Sequence, residues 1–238
     1  MKQLSNMHKG SSSIIWCMCT VVMLAGCGLL LCMTSACSGD NDDTLFPPLV
    51  TELVDLKTDG NKMGVSITND DGKTYSIAST RLSTDVSDTI VRCFCTYASE
   101  NGNDATLYDI RAVYAGIPIP SDHLQSHEKD PLRIISSWQT ARYMNFQLAF
   151  LTTKTSSHGI IFCEDSLTVS PEGARMMHAT LIHRRGEKDE ESFTERFFVC
   201  LPLHLLRERV DSVRLTIPTY KGDSIFGIAV SSSAADPS

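Results

Sequence analysis

What this chain has least of is a helical pattern. Beyond residue 48, apolar residues do not recur at three- and four-residue spacing over any long stretch, which excludes an architecture built on amphipathic helices. Basic charge is also short, with 21 Lys and Arg against 28 Asp and Glu. Lys2 and Lys9 are the only charged side chains before Cys37, so 19 basic residues face 28 acidic ones beyond it, a net of −9. A surface so acidic repels phosphate backbones, and no nucleic-acid partner is expected. The catalytic signatures are missing too: there is no Gly-x-Ser-x-Gly elbow, no phosphate loop and no His-Glu-x-x-His. Cys93-x-Cys95 lacks the two-residue spacing of a redox or zinc knuckle. Asn41 to Thr44 lacks the glycine and closing glutamate of a calcium loop. His123 and His127 stand four apart, but in a polar linker beside Glu128 and Asp130, where a solvated segment is the plainer reading. His178 and His183 are an odd number apart and would point to opposite faces of a strand. No metal, cofactor or enzymatic activity is expected.

Acidic residues are absent before Asp40, and that part of the chain reads as an export signal. Lys2 and Lys9 form a basic start, and Ser13 to Ala36 is an apolar run ending in small residues. An uncleaved anchor is the alternative, because the run is long enough to cross a bilayer. Two cysteines are candidate lipid acceptors. Leu24-Ala25-Gly26-Cys27 has the better lipobox, while Thr34-Ser35-Ala36-Cys37 has Thr where Leu is usual. Cleavage before Cys27 would leave the apolar stub GLLLCM. Cleavage before Cys37 leaves a flexible acidic tether, so Cys37 is favoured and Cys27 is the alternative. Two or three acyl chains hold a protein firmly to a membrane, where one does so only marginally. The acidic residues after Cys37 resemble the export flag of surface lipoproteins in some Gram-negative anaerobes. That resemblance implies a cell-envelope protein of the outer membrane, exposed at the surface. Four cysteines remain: Cys93, Cys95, Cys163 and Cys200. Buried free thiols are the default for all four, with a Cys163–Cys200 disulfide left open for an exported chain.

The remainder has the period-two alternation of β-strands, predicting an all-β protein: a small OB-like barrel followed by a β-sandwich. Strands are expected over 49–58, 63–68, 73–80, 89–98 and 105–115, with the hairpin turn Asn69-Asp70-Asp71-Gly72 between the second and third. Val91, Cys93, Cys95 and Tyr97 share one face of the fourth, and Tyr108, Ile110, Ala112 and Tyr114 one side of the fifth. Five strands in so few residues suit an OB-type barrel. The proline-rich Gly116 to Pro120 is expected to stop sheet pairing, and Ser121 is a candidate helix cap. Further strands are expected over 132–138, 142–152, 158–163, 174–184, 193–201, 211–219 and 224–230, with a short helix over 203–209, as in a sandwich. The organisation is thus signal peptide 1–36, tether 37–48, barrel 49–117, linker 118–131, sandwich 132–231 and frayed tail 232–238.

Fragments across the second half resemble the NigD-like lipoproteins. They are Asp130-Pro131, Ile135-Ser136-Ser137-Trp138, Arg142-Tyr143-Met144-Asn145-Phe146, His158-Gly159 with Phe162, Glu164-Asp165, Thr180-Leu181-Ile182-His183 and Leu201-Pro202-Leu203. The resemblance implies an OB-like domain followed by a β-sandwich. It implies no established activity, although the family's link to a bacteriocin gene cluster raises an immunity or accessory role.

Trp138, Arg142, Tyr143 and Asn145 form the most suggestive polar-aromatic cluster, since rigid aromatics and Arg dominate binding surfaces. The plainer alternative places Trp138 in the core and Arg142 and Tyr143 over the sheet edge. The leading expectation is a non-enzymatic, lipid-anchored binding module with a protein or peptide partner. An immunity protein that intercepts a toxin peptide comes second. An enzyme comes third, and would need His158 or His183 to meet carboxylates in a cleft.

Overall fold

The computed structural model describes residues 48–80, 82–99, 101–124, 128–153, 158–185 and 193–230. The export signal, both candidate acceptor cysteines, His127 and the tail lie outside the described residues.

Five strands close into a barrel: β1 (Leu49–Thr58), β2 (Gly64–Asn69), β3 (Thr74–Ser79), β4 (Ile90–Ala98) and β5 (Asp104–Ala112). Their order is β1-β2-β3-β5-β4, and β4 closes back on β1 from Leu49↔Ala98 to Lys57↔Ile90. β3 runs parallel to β5, and the other pairs are antiparallel. This is the five-stranded OB arrangement expected from the sequence. The β2–β3 turn works as its residues suggest. Gly72 takes φ +83°, and the Asn69 side chain accepts from the Lys73 N–H at 2.9 Å. Val54, Leu56, Ile67, Cys93, Cys95, Tyr97 and Leu107 fill the interior, and Tyr97 donates to Glu52 Oε1 at 2.6 Å.

The fifth strand departs from the expected alternation. The β4–β5 register shifts between Thr96 and Tyr97, leaving Tyr108 without a directly opposed partner. Such a bulge swaps which side chains face inward. Ala105 and Leu107 are therefore buried, while Tyr108 is exposed.

The second half is a sandwich. One sheet has the order β14-β13-β11-β10-β7 and the other β6-β12-β9-β8. The strands are β6 (Tyr114–Ala115), β7 (Ile119–Pro120), β8 (Arg133–Gln139), β9 (Tyr143–Thr152), β10 (Gly159–Val169), β11 (Arg175–Arg184), β12 (Phe193–Pro202), β13 (Ser212–Thr219) and β14 (Gly222–Ala229). Met144, Phe146, Leu148 and Phe150 of β9 meet Val199 and Leu201 of β12, with Phe162, Met177, Leu181, Val213 and Leu215 from the other sheet. Fully burying a side chain of this size is worth about 1.5–3 kcal/mol, and this shared core holds the two sheets together.

Four local expectations are corrected. Sheet pairing does not stop at the proline-rich segment: Tyr114 and Ala115 run parallel to β12, and Ile119 and Pro120 parallel to β10. A proline is tolerated there because β7 is an edge strand, where no neighbour requires its missing N–H. Ser121 opens a single 3₁₀ turn, Ser121–His123, without a side-chain cap. The expected helix over 203–209 is reduced to a 3₁₀ turn at Leu203–Leu205. β10 also continues past Cys163 to Val169, through a bulge between Glu164 and Ser166.

Candidate functional site

β9 is buried on both faces over its first half. Its even-numbered apolar residues face the sandwich core, while Tyr143 and Asn145 point the other way, onto the barrel. There they meet β1 and β4. Arg92, with its side chain 1% exposed, lies 3.3 Å from Asp55 Oδ1 and 2.6 Å from Asp70 Oδ1. Its Nη2 also donates to Asn145 Oδ1 at 3.3 Å, and the Asn145 amide nitrogen donates to Asp70 Oδ2 at 3.2 Å. Arg142 reaches Asp55 Oδ2 at 3.0 Å, and the Tyr143 hydroxyl donates to Asp55 Oδ1 at 2.9 Å. The Arg92 guanidinium lies 4.0 Å from the centre of the Tyr143 ring. Two carboxylates and two guanidiniums thus balance one another in a largely buried junction.

The electrostatics follow from that burial. Burial works against the Arg92 charge, but Asp70, the Cys200 sulfur and Asp55 outweigh it and raise its pKa. Burial lifts the Asp70 carboxyl above its ordinary range, with Arg92 only partly offsetting it. Burial and then the Asp55 carboxylate keep the Tyr143 phenol protonated well past its usual range. A buried charge network of this kind is weak evidence for stability but breaks at high cost when one partner is removed.

The binding surface expected from Trp138, Arg142, Tyr143 and Asn145 is therefore corrected. Tyr143 and Asn145 are buried, and the Arg142 side chain is 16% exposed and committed to Asp55. Alternation along β9 correctly separates them from the sandwich core, but their face is covered by the barrel rather than by solvent. Trp138 alone stays open, 37% exposed, edge-on to Phe198 with ring centres 6.2 Å apart. Phe198 stacks on Phe94 of the barrel at 4.7 Å, and the Arg111 guanidinium lies 5.4 Å from the Phe94 ring centre. An aromatic ledge thus crosses the junction beside the charge network.

This two-part architecture has solved counterparts. A NigD-like immunity protein from Bacteroides caccae superposes with a TM-score of 0.60 at 22% identity, over 76% of this chain and 92% of that one. The chain has the NigD-like fold. The same fold relates it to a candidate toxin-related protein from Parabacteroides distasonis (TM-score 0.59, 13% identity, 76% and 92% covered). It also relates it to a candidate lipoprotein from Bacteroides fragilis (TM-score 0.53, 10% identity, 79% and 100% covered). No family model matches the sequence, and no curated protein does.

Within this NigD-like fold, His158 and His183, either of which an enzyme would need beside carboxylates, meet each other at one end of the sandwich. His158 Nδ1 lies 2.9 Å from His183 Nε2, with the rings stacked 7° from parallel. Their other nitrogens go to the Thr152 hydroxyl at 2.8 Å and the Asp130 backbone carbonyl at 3.3 Å. Neither of these two partners is a carboxylate. His183 is fully buried, and burial followed by its histidine neighbour lowers its pKa to about 4. Burial lowers that of His158 as well. His178 lies on the opposite face, beside Thr168. Among the described residues, no group of three or more His, Cys, Asp or Glu could hold a metal ion. Cys93, Cys95, Cys163 and Cys200 are free and buried, so the Cys163–Cys200 bridge is not formed. A shallow apolar groove of about 400 Å³ opens on the outer face of β13 and β14, with Gly227 and Ile225 lining it and Arg214 as its charged residue.

Asp55, Asp70 and Arg92 were not legible as site residues. The available signal was a charge inside an apolar strand, Leu53-Val54-Asp55-Leu56 and Val91-Arg92-Cys93. Such a charge needs a partner once both faces of the strand are covered, and Asp55 and Arg92 find one in each other.

Proposed function

We propose that this protein is a non-enzymatic binding module of the cell envelope, held to a membrane by lipid on Cys37, with Cys27 as the alternative acceptor. The observation that carries the binding reading is the half-exposed Trp138. It is held against Phe198 and Phe94 beside a junction whose charged groups are engaged with one another. A rigid aromatic at a fixed junction offers contact area at low entropic cost, as binding anchors do. The basic start, the apolar run and the acidic stretch after Cys37 support the anchor, and the shared fold with a candidate lipoprotein is consistent with it. Display at the outer face of the outer membrane extends the same reading.

Palmitate labelling of wild type, Cys27→Ala and Cys37→Ala, with protease treatment of intact cells, tests the anchor. Label lost only in Cys37→Ala supports it, and label that survives both substitutions overturns it. A photo-crosslinking residue at position 138 tests the ledge in the same cells. A discrete adduct absent from a matched probe at exposed Ile225 supports a binding role, and identical patterns at both positions oppose it.

A second reading is immunity or an accessory role towards a toxin peptide, favoured by the fold shared with a NigD-like immunity protein. Cells lacking this protein should then become sensitive to a peptide toxin made by neighbouring cells, and Trp138→Ala should fail to restore resistance.

A further inference from the structure

The His158–His183 contact fixes where its hydrogens lie. The Asp130 carbonyl oxygen only accepts, so the ring hydrogen of His183 is on Nδ1. With His183 neutral, Nε2 is bare and accepts from His158 Nδ1–H. His158 Nε2 is then bare in turn and accepts from the Thr152 hydroxyl. Both rings are Nδ1–H tautomers, and each contact in the chain is satisfied.

One added proton fits without movement. It goes to His158 Nε2, and the Thr152 hydroxyl turns to donate to the Thr153 carbonyl, 3.1 Å away. A second proton does not fit. It places hydrogens on both His158 Nδ1 and His183 Nε2, which stand 2.9 Å apart, and the contact between the rings is lost.

The groups packed around the pair set how readily it charges. Glu195 of β12 and Asp130 favour the charged form of His158, and Arg185 at the end of β11 opposes it. Asp130 likewise favours and Arg185 opposes charge on His183. The Phe150 ring of β9 stacks on both, 3.9 Å from His158 and 5.0 Å from His183. The pair also sits where separate elements are tied together. Asp130 donates its backbone N–H to the His183 carbonyl at 2.8 Å. Its carboxylate accepts from the Arg185 backbone N–H at 2.7 Å and pairs with the Arg185 guanidinium at 3.4 Å. The segment entering β8 is thereby fastened to the end of β11, and the end of β9 to the start of β10.

We propose that His158 and His183 form a two-stage proton latch. The pair takes up one proton in place and opens on the second, parting the start of β10 from the end of β11 while Asp130 stays fastened to β11. The latch gives this end of the sandwich a closed form in neutral surroundings and an open form in acid ones.

Imidazole ¹⁵N shifts of the full-length protein at pH 7.5 should show Nδ1–H tautomers on both rings. Hydrogen exchange around Gly159 and Arg184, paired where β10 meets the end of β11, should then be followed as the pH is lowered, corrected for intrinsic rates. Opening that takes up one proton rises about tenfold per pH unit, while the sandwich core stays protected. In His158→Gln the ring-to-ring contact cannot be doubly charged, and this acid opening should disappear. An Nε2–H tautomer on His183 would overturn the proposal, as would acid opening unchanged in His158→Gln or no pH dependence in wild type. The wild-type tautomers decide the matter even if that variant fails to fold.

Discussion

Replacing Arg92 by Met is the sharpest test of the junction. The substitution keeps most of the side chain's length and apolar stem but removes its charge. Asp55 and Asp70 are left with Arg142 as the remaining cation of the network, and Asn145 loses a donor to its side-chain oxygen. The contact to the Tyr143 ring goes as well. Removing one member of a buried charge cluster costs about 3–5 kcal/mol, because the partners stay buried without compensation. For a folded region of this size that corresponds to a fall in Tm of roughly 6–20 °C. Urea denaturation should be followed by far-ultraviolet dichroism and by tryptophan emission. In a Trp16→Phe background, Trp138 is the sole tryptophan and reports on the junction directly. Asp70→Asn should then restore part of the loss in the Arg92→Met protein, since burial already disfavours the Asp70 charge. A loss under about 1 kcal/mol, or no coupling between the two substitutions, would refute the account of the junction as a closed charge network.

Three further outcomes follow from the geometry. His183 has its pKa lowered from the ordinary 6.5 to about 4. Between those values the unfolded chain binds the extra proton and the folded one does not, so stability is complete above pH 6.5 and falls as the pH drops towards 4. The loss should be at most about 3 kcal/mol in urea titrations across that window, and unchanged stability there would contradict it. Gly64→Ala would set a Cβ 2.8 Å from the tips of both Leu56 and Ile77 inside the barrel; an overpacking loss of about 1–3 kcal/mol is expected in chemical denaturation. Burial raises the thiol pKa of Cys93 and Cys95 to about 12 and of Cys163 and Cys200 to about 11. At pH 8 these four should resist a disulfide reagent in the native protein and react together on unfolding, and fast labelling of any one in native buffer would contradict its burial.

The strand pattern was readable because one face of most strands is core. β1 spans Leu49–Thr58 as the alternation indicates, and Met144, Phe146, Leu148 and Phe150 line the sandwich interior. What alternation does not reveal is the nature of the other face. Tyr143 and Asn145 look like surface residues until the barrel is set against them, and nothing local in β9 announces that second covering. The end of β10 was missed for a different reason: Glu164-Asp165-Ser166 looks like a turn, and a bulge carries the strand through it. The histidine pair depends on the β10–β11 register, which sets Ile160 opposite His183. That long-range fact is not written in either segment.

The short strands β6 and β7 bear on how this chain acquires its shape. Emerging in order, the barrel strands are complete by Ala112, yet Asp55 waits for the Tyr143 hydroxyl 88 residues further on, and Arg92 waits 53 residues for Asn145. Contacts so distant along the chain close loops before they return any stabilisation, which slows folding. A barrel released early would carry Asp55 and Arg92 on a face built to be dry. The stretch from Tyr114 to Pro120, which lends one strand to each sandwich sheet, fixes where the second half must assemble. A cut anywhere in that stretch should therefore yield two fragments that recover their structure only in each other's presence.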